Sequence, residues 1–424
     1  MIANNIDCAL AVANLRSTET IRKRASFLLE RARKGQSDYF FINDAALAAT
    51  AALVAQITNE RYPDLKIPYH SRWRHFEAGG INRLSKLNEQ LGKVSLAKRA
   101  RAHIDLAIVS VLLDAGAGLD WRYLDARTGQ TFTRSEGLGV ASFNAFSKGL
   151  FSSKPTQAAQ ADAAGLQALT ERKLGEAFQV GVDNPLVGLR ERAALLRRLG
   201  REIAAQRNVF GGAGGQCRPG RLFDHLLKTS VQPRIAAHDI LQALLQTLSG
   251  IWPAQNTLPC PGGESIALGD CWLHPGVQVE SNFAGIDAGW MPFHKLSQWL
   301  TYSLLEPFEW AGVKVVGLED LTGLPEYRNG GLLLDSGVIT LKNAARAQQR
   351  LAVGDALVVE WRALTMALLD ELAPRVRSEL GLSQSQMPLA CVLEGGTWAA
   401  GRALALQLRA GAPPFNIESD GTVF

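Results

Sequence analysis

The stretch that decides the fold is residues 290–337, which read WMPFHKLSQWLTYSLLEPFEWAGVKVVGLEDLTGLPEYRNGGLLLDSG. Its first half predicts an amphipathic helix that begins near Pro292, because proline is well placed in a first helical turn. Apolar residues then recur with the spacing of one helical face, at Phe293, Leu296, Leu300 and Leu304. Pro307 is predicted to end this helix, because it has no N–H and its ring clashes with the preceding turn.

Beside the apolar stripe lies a second face of the same predicted helix. Lys295, Trp299 and Tyr302 share it, because they are spaced at i, i+4 and i+7. A lysine beside two aromatic rings predicts a half-buried wall that faces a ligand.

The second half of the stretch, LTGLPEYRNGG, contains a charged cluster between glycines that permit tight turns. The cluster is Glu326, Tyr327 and Arg328. A surface loop between two helices explains the same pattern without any chemistry, so the sequence leaves both interpretations open.

Composition places the chain among ordinary folded proteins, with 47% hydrophobic and 20% charged residues. Its 424 residues suffice for more than one domain, and we expect an N-terminal helical region at 1–175 and a C-terminal helical region at 176–424 that share a cleft. No apolar run is long enough to span a membrane. The net charge of +5 is small, and no basic block carries interleaved aromatics, so nucleic acid is not an expected partner. A small molecule is, while the sequence leaves the oligomeric state open.

The cysteines favour a reducing compartment. They are few, odd in number and scattered, at Cys8, Cys217, Cys260, Cys271 and Cys391. Since the N-terminus also lacks a signal-peptide pattern, we expect a cytoplasmic protein. Cys260, Cys271 and His274 lack the paired spacing of a zinc site, so no metal and no cofactor are predicted, although a metal at these three residues stays open.

Helical patterns dominate the chain, and the predicted fold is mainly α with few short strands. The best strand candidate is GVQVESNF at 276–283, where polar and apolar residues alternate. It would bring Glu280 and Asn282 close to the Lys295 helix, so both are candidate substrate contacts. Trp121 is a further candidate, as an aromatic wall for a flat group.

Near the C-terminus, LEGGTWAAGR places Glu394 and Arg402 on either side of a predicted Gly-Gly turn into a helix. A helix that begins near Thr397 would offer unpaired N–H groups to an anion or a carbonyl. Glu394 would then belong to the wall of the pocket. Alternatively, Trp398 simply anchors this last helix to the core.

Several segments together carry a family resemblance: HSRWRHFEAGGINR, RSEGL, FQVGVDNPLVGL, PFHKLSQWLTYSLLEP, GLPEYRNGGLLLDSGV, VEWRAL, LEGGTWAAGR and SDGTVF. In this order they resemble the uracil catabolism family of the Urc/Urg type, over nearly the whole chain. The resemblance implies a role in the use of pyrimidines as a nitrogen source, but it supplies no reaction.

A more distant resemblance supplies one. FQVGVDNPLVGLRERAALLRRLG, PFHKLSQWL, LEDLTGLPEYR and VVEWRAL are similar to segments of queuosine salvage proteins, which are nucleotide N-glycosidases with a helical fold like that of DNA glycosylases. The resemblance places Lys295 on their lysine and Glu326 on their acidic residue, which is an Asp in that family. The LEGGTWAAGR region is an addition in this chain.

Cleavage of an N-glycosidic bond suits these residue types. Positive charge develops on the sugar and negative charge on the departing nitrogen, so a carboxylate and a cation stabilise the transition state. We therefore expect Glu326 and Lys295 to be catalytic and the remaining candidates to bind substrate. Lys295, Arg328 and Arg402 are expected to contact an anionic group such as phosphate. The expected substrate is a uracil-derived nucleotide or nucleoside, or a ribosylurea-type compound. A ring-opening or amide hydrolase and a non-catalytic ligand-binding protein are the alternatives.

Overall fold

The structure is a computed structural model that describes residues 2–154, 156–228, 232–252, 256–260, 263, 265–278 and 285–418. Its α-helices are α1 (Ile2–Leu15), α2 (Thr18–Arg33), α3 (Ala46–Arg61), α4 (Arg72–Phe76), α5 (Arg83–Leu91), α6 (Leu96–Leu112), α7 (Arg134–Ser147), α8 (Ala163–Gln167), α9 (Glu171–Ala177), α10 (Leu189–Ala205), α11 (Arg207–Phe210), α12 (Leu222–Leu227), α13 (Ala237–Thr247), α14 (Pro275–Gln278), α15 (Lys295–Trp310), α16 (Tyr327–Asp335), α17 (Ala356–Leu380), α18 (Leu389–Val392) and α19 (Trp398–Arg409). The predicted mainly α class is confirmed, while the likeness to DNA glycosylases stays a prediction.

The strands are short: β1 (Phe40–Ile42), β2 (Arg122–Asp125), β3 (Gln130–Thr133), β4 (Arg234–Ala236), β5 (Thr257–Pro259), β6 (Ser265–Ala267), β7 (Cys271–Leu273), β8 (Trp290–Pro292), β9 (Lys314–Val316), β10 (Ile339–Leu341), β11 (Arg350–Leu351) and β12 (Asn416–Ile417). In the described residues they form two-stranded ribbons only. The pairs β1–β10, β2–β3, β5–β6 and β7–β8 are antiparallel, whereas β4–β9 and β11–β12 are parallel. Such ribbons are too small to form a core, so helix packing must supply it.

The chain divides into two compact units, and each is assembled from separated segments. The first unit consists of Met1–His70, Ala254–Gln298 and Leu318–Glu418, and the second of Ser71–Pro253, Trp299–Gly317 and Ser419–Phe424. The division predicted near residue 175 assumes contiguous regions, whereas this division follows packing.

In the first unit, α17 is the central element, and it packs against α2 and α3. Most of its residues are buried, including the polar Glu360 and Arg362. A helix that is apolar on nearly all sides has to lie inside a core, which agrees with the run ALVVEWRALTMALL. In the second unit the corresponding buried helices are α6 and α7.

The decisive stretch departs from its prediction at both ends of α15. Pro292 ends strand β8, which pairs with β7, so the helix begins only at Lys295. Pro307 lies inside the helix rather than at its end. Because a proline has no N–H to donate, the carbonyl of Ser303 loses its helical partner, but the indole Nε1 of Trp73 donates to this oxygen at 2.9 Å. Tertiary packing therefore satisfies the group that the proline leaves open.

The predicted strand at 276–283 is wrong in its first half, where the chain forms the short helix α14. The predicted contacts Glu280 and Asn282 lie outside the described residues.

The predicted Gly-Gly turn in LEGGTWAAGR is also wrong. Leu393–Thr397 form a π-helical turn that joins α18 to α19 without a break, so Thr397 begins no new helix with unpaired N–H groups. Packing explains the small residues, because a Cβ on Gly396 would lie 2.4 Å from the Val54 carbonyl oxygen and one on Gly401 would lie 2.1 Å from that of Arg328. The glycines let this helix approach α3 and α16 closely.

The cysteines include a disulfide, although the sequence favoured a reducing compartment. Cys8 and Cys260 form a disulfide, whereas Cys217, Cys271 and Cys391 are free and buried. Cys8 and Cys260 belong to or pack on a small apolar cluster that also contains Leu258 and Cys271. The cytoplasmic location stays a prediction. Among the described residues, no helix has the length and hydropathy needed to cross a bilayer.

Candidate active site

Glu326 caps α16. Its backbone is extended, and its carboxylate accepts the N–H of Arg328 at 2.8 Å and the N–H of Asn329 at 2.6 Å. One carboxylate oxygen serves each donor, and this arrangement satisfies two of the orphan N–H groups of the helix. The side chain is half-buried, so Glu326 has a structural role whatever else it does.

The glycine after this cap is required by packing. A Cβ on Gly330 would lie 2.5 Å from the Trp361 ring, and the Trp361 indole Nε1 donates to the Gly330 carbonyl at 3.2 Å. The side chain of Asn329 is also used, since it donates to the Leu324 carbonyl at 3.1 Å and accepts the Thr397 hydroxyl at 2.9 Å. The PEYRNGG segment is therefore a fixed helix start and not a mobile surface loop.

Lys295 is the first residue of α15, and a buried ion pair fixes its backbone. The Asp270 carboxylate accepts the Lys295 N–H at 3.0 Å and binds both terminal nitrogens of Arg362 at 2.8 and 2.7 Å. Burial alone would raise the pKa of Asp270, but the Arg362 guanidinium lowers it to about 2. Arg362 also donates to the Pro325 carbonyl at 3.4 Å. One arginine thus positions the starts of both α15 and the Glu326 segment.

Glu394 lies in the π-helical turn and is surrounded by side-chain donors. His70 Nδ1 lies at 2.8 Å, Arg61 Nη2 at 2.9 Å and the Tyr62 hydroxyl at 3.1 Å from its carboxylate oxygens. Burial would raise the pKa of this group, yet the His70 and Arg61 contacts outweigh it and lower the pKa to about 2. Glu394 is therefore ionised at neutral pH.

The ionised state of Glu394 decides the tautomer of His70. A carboxylate without a proton only accepts hydrogen bonds, so His70 Nδ1 must carry the hydrogen. In the neutral imidazole the Nε2 atom is then the basic nitrogen. This is the arrangement in which a carboxylate orients a histidine for proton transfer.

Electrostatics connect these groups. Burial raises the pKa of the Glu326 carboxyl, and the opposing effects are its two backbone hydrogen bonds, the charge of Lys295 and, when it is protonated, the charge of His70. Lys295, His70 and Glu326 are thus near enough for their charges to interact, although they come from three separate segments of the first unit. The cluster combines a carboxylate, a cation and an oriented imidazole.

The neighbours of this cluster are aromatic or basic. The Arg328 guanidinium is buried, lies 4.8 Å from the centre of the half-buried Tyr327 ring and donates to the Gly411 carbonyl at 3.3 Å. The Trp398 ring lies 6.3 Å from that of His70, and the exposed Arg402 lies 5.7 Å from the Trp398 ring. Arg328 therefore serves packing, whereas Trp398 and Arg402 lie on the side of His70.

The two predicted tryptophans belong to the second unit. Trp299 is buried, with the Arg72 guanidinium 5.7 Å from its ring and His75 edge-on at 5.7 Å. Trp121 is fully buried, donates from Nε1 to the Phe178 carbonyl at 3.0 Å and stacks on the Phe178 ring. Its position is that of a core residue, since no side of the indole is exposed to solvent.

The candidate site also contains His70 and Arg61, which the sequence pattern did not identify. The signal for His70 was present, because the segment at 66–83 carries more hydrogen-bond donors and aromatics than a connector needs. Nothing in the sequence paired it with Glu394, which lies 324 residues away.

The three residues at which a metal site had stayed open have separate interactions. Cys260 is in the disulfide, Cys271 is a buried thiol and His274 lies 3.4 Å from Glu360. Within the part of the chain that the structure describes, no group of three or more His, Cys, Asp or Glu residues is arranged to hold a metal.

Known proteins are similar to this chain over most of its length. The chain is 39% identical over 425 residues to "Protein urg3" of Schizosaccharomyces pombe (strain 972 / ATCC 24843), which covers 97% of this chain and 99% of that protein. It is 38% identical over 387 residues to "Uracil catabolism protein 4" of Lachancea kluyveri, which covers 84% of this chain and 85% of that protein. Residues 14–424 match a single family model, and the chain therefore belongs to the family described as "Protein of unknown function (DUF1688)".

Proposed function

We propose that this protein takes part in pyrimidine breakdown and hydrolyses the N-glycosidic bond of a uracil-derived nucleotide or nucleoside, or of a ribosylurea-type compound. The pathway assignment is supported by the relative named for uracil catabolism, which is similar to this chain over most of its length. The reaction is supported by one observation, namely that Lys295 and His70 both act electrostatically on the half-buried Glu326 carboxylate.

Each group has a role in this reaction. Glu326 stabilises the positive charge that develops on the sugar, since its two oxygens keep further lone pairs beside those used in capping. His70 accepts a proton from the attacking water at Nε2 while Glu394 holds Nδ1–H. Lys295 neutralises the departing nitrogen or binds a 5′-phosphate. Water thus adds its hydroxyl to the sugar carbon, and its proton goes to the leaving nitrogen.

The test is to incubate the purified protein with uridine, uridine monophosphate and ribosylurea, with and without its phosphate, and to assay free ribose and ribose phosphate. Wild-type protein should release one of these sugars. Release of a ring-opened product with the sugar retained would favour an amide hydrolase. Stoichiometric binding without any product would favour a ligand-binding protein, and both outcomes contradict the proposal.

The matched variants are Glu326→Gln and Asp355→Asn. Each removes one negative charge from a helix N-cap of the first unit, because Asp355 caps α17 by accepting the Leu357 N–H at 2.9 Å. Glu326→Gln should lower kcat by at least about a hundredfold, whereas Asp355→Asn should keep it. Equal rates in the two variants would remove Glu326 from the mechanism, and thermal unfolding of both shows whether the cap itself is intact.

A further inference from the structure

A second group of buried polar side chains lies in the first unit, at the floor of a cavity of about 210 Å³. The end of α2, the segment at 36–39 and the start of α14 form its walls, and His274 and Glu360 lie among the lining residues. Since a water molecule occupies about 30 Å³ in the liquid, the cavity has room for a molecule about as large as one six-membered ring.

The hydrogen-bond pattern fixes the tautomer of His274. The Gly276 N–H donates to its Nδ1 at 3.1 Å, so Nδ1 carries no hydrogen and the neutral ring has its N–H at Nε2. This Nε2 is buried and makes no hydrogen bond to any residue that the structure describes. His274 therefore presents an unused donor.

Glu360 presents an unused acceptor beside it. The residue is buried, and within the described part of the chain its Oε1 has no hydrogen-bond partner. Its Oε2 lies 3.4 Å from His274 Nε2 without a hydrogen bond between them. A buried carboxylate that lacks donors costs the fold free energy. Because native cores rarely tolerate such groups, Glu360 calls for a hydrogen-bond donor that the described residues do not supply.

The charged residues around the cavity are engaged elsewhere or carry negative charge. Arg31 donates to the Gln36 carbonyl at 3.2 Å and lies 5.9 Å from the Phe27 ring. Asp38 is an exposed carboxylate at the rim, and burial together with the charges of Asp355, Asp38 and Glu360 raises the pKa of Tyr39. The surroundings therefore favour a neutral ligand or one that donates hydrogen bonds over an anion.

This cavity is separate from the Glu326 cluster. Glu360 and Arg362 are two residues apart on α17, which places them on nearly opposite faces of the helix. Arg362 pairs with Asp270 and contacts the Pro325 carbonyl. Glu360 therefore faces this cavity, while Arg362 faces the Glu326 segment.

We propose that this cavity binds a small molecule with an amide or ureido edge, in which an N–H and a carbonyl are neighbours. The ligand N–H donates to Glu360 Oε1, and its carbonyl accepts the Nε2–H of His274. Donor and acceptor on the protein then both become satisfied, and the complementary pair excludes ligands that carry only acceptors. The inference does not depend on the N-glycosidase reaction.

The experiment uses uracil and urea as probes, with 1,3-dimethyluracil as the control that keeps both carbonyls but has no N–H. Nuclear magnetic resonance of protein with 15N-labelled histidine reports on the cavity itself, because His274→Gln identifies the Nε2–H signal of this one residue. Uracil or urea should shift that signal and dimethyluracil should leave it unchanged. A signal that moves with neither probe overturns the proposal, and so does one that moves equally with dimethyluracil.

Glu360→Gln and Asp38→Asn are the matched variants, because each removes one carboxylate charge. Glu360 lies at the floor of the cavity, whereas Asp38 lies at its rim. Glu360→Gln should weaken probe binding by about tenfold or more and raise the thermal midpoint, because it removes an unpaired buried charge. Asp38→Asn should change neither. A lower midpoint in Glu360→Gln would make the residue a structural ion pair with His274, and unchanged probe affinity would remove it from the site. Either result overturns the proposal.

Discussion

Two histidine–glutamate pairs lie in the first unit, and they differ in how completely the protein satisfies them. In the His70–Glu394 pair the atoms are 2.8 Å apart, and Arg61 and Tyr62 add further hydrogen bonds to the carboxylate. In the His274–Glu360 pair the atoms are 3.4 Å apart, and no described residue donates a hydrogen bond to Glu360 Oε1. Both pairs are buried, so exposure does not explain the difference.

The comparison shows that burial of a charged residue has no fixed meaning. A carboxylate with enough donors has a low pKa and holds its neighbours in place, whereas one without donors weakens the fold. The first arrangement suits a group that positions a reacting histidine. A carboxylate without donors suits a binding site, where a ligand supplies the missing hydrogen bond.

The largest expected effect is on the satisfied pair. Glu394→Gln should lower the free energy of unfolding by about 2 to 3 kcal/mol, because it leaves the buried His70 and the partly exposed Arg61 without their charged partner. The control is Glu418→Gln, whose partner Arg350 is exposed, and which should cost less than about 1 kcal/mol. Urea unfolding measures both, and equal losses would contradict the assignment of Glu394 as a buried structural anion.

The pH dependence of stability should show the same pair. The pKa of Glu394 is lowered from 4.5 to about 2 in the folded protein, so this group stabilises the fold above about pH 4.5. That contribution, up to about 3 kcal/mol, is lost as the pH falls through about 2. The free energy of unfolding, measured in urea at several pH values, should therefore fall less toward acid pH in Glu394→Gln than in the wild type. An equal fall in both proteins would show that Glu394 is not ionised.

A further change separates orientation from proton transfer within this pair. His70→Gln keeps an N–H donor for Glu394 but removes the basic nitrogen. We expect a loss of about two orders of magnitude in kcat with a stability loss of only about 1 kcal/mol. A variant that retains kcat would make His70 a structural partner only.

The smallest effect is expected at Arg402. Its guanidinium is exposed, and the contact described for it is with the Trp398 ring at 5.7 Å. Arg402→Ala should change the free energy of unfolding by less than about 0.5 kcal/mol. If this arginine contacts an anionic substrate group, KM should rise for the phosphorylated compound and stay unchanged for the nucleoside. An equal rise for both would exclude the phosphate role.

Local patterns predicted the helical elements well and their ends poorly. The period of the apolar residues placed α15, because that period is a property of the helix itself. Pro307 failed as a stop signal because Trp73, more than 200 residues earlier, donates to the carbonyl that the proline leaves open. Gly395 and Gly396 failed as a turn because they are needed for the close approach to α3.

The sequence by itself determined the helical class, the family and the residue types of the candidate site, including Glu326, Lys295 and Glu394. Those properties follow from spacing and from motifs that are contiguous in the chain. Only the tertiary structure decided which charges act on one another. Glu394 and His70 are 324 residues apart in the chain, and among the described residues nothing donates to Glu360 Oε1. Such pairings depend on how separate helices pack, and no local sequence pattern encodes which distant residues come into contact.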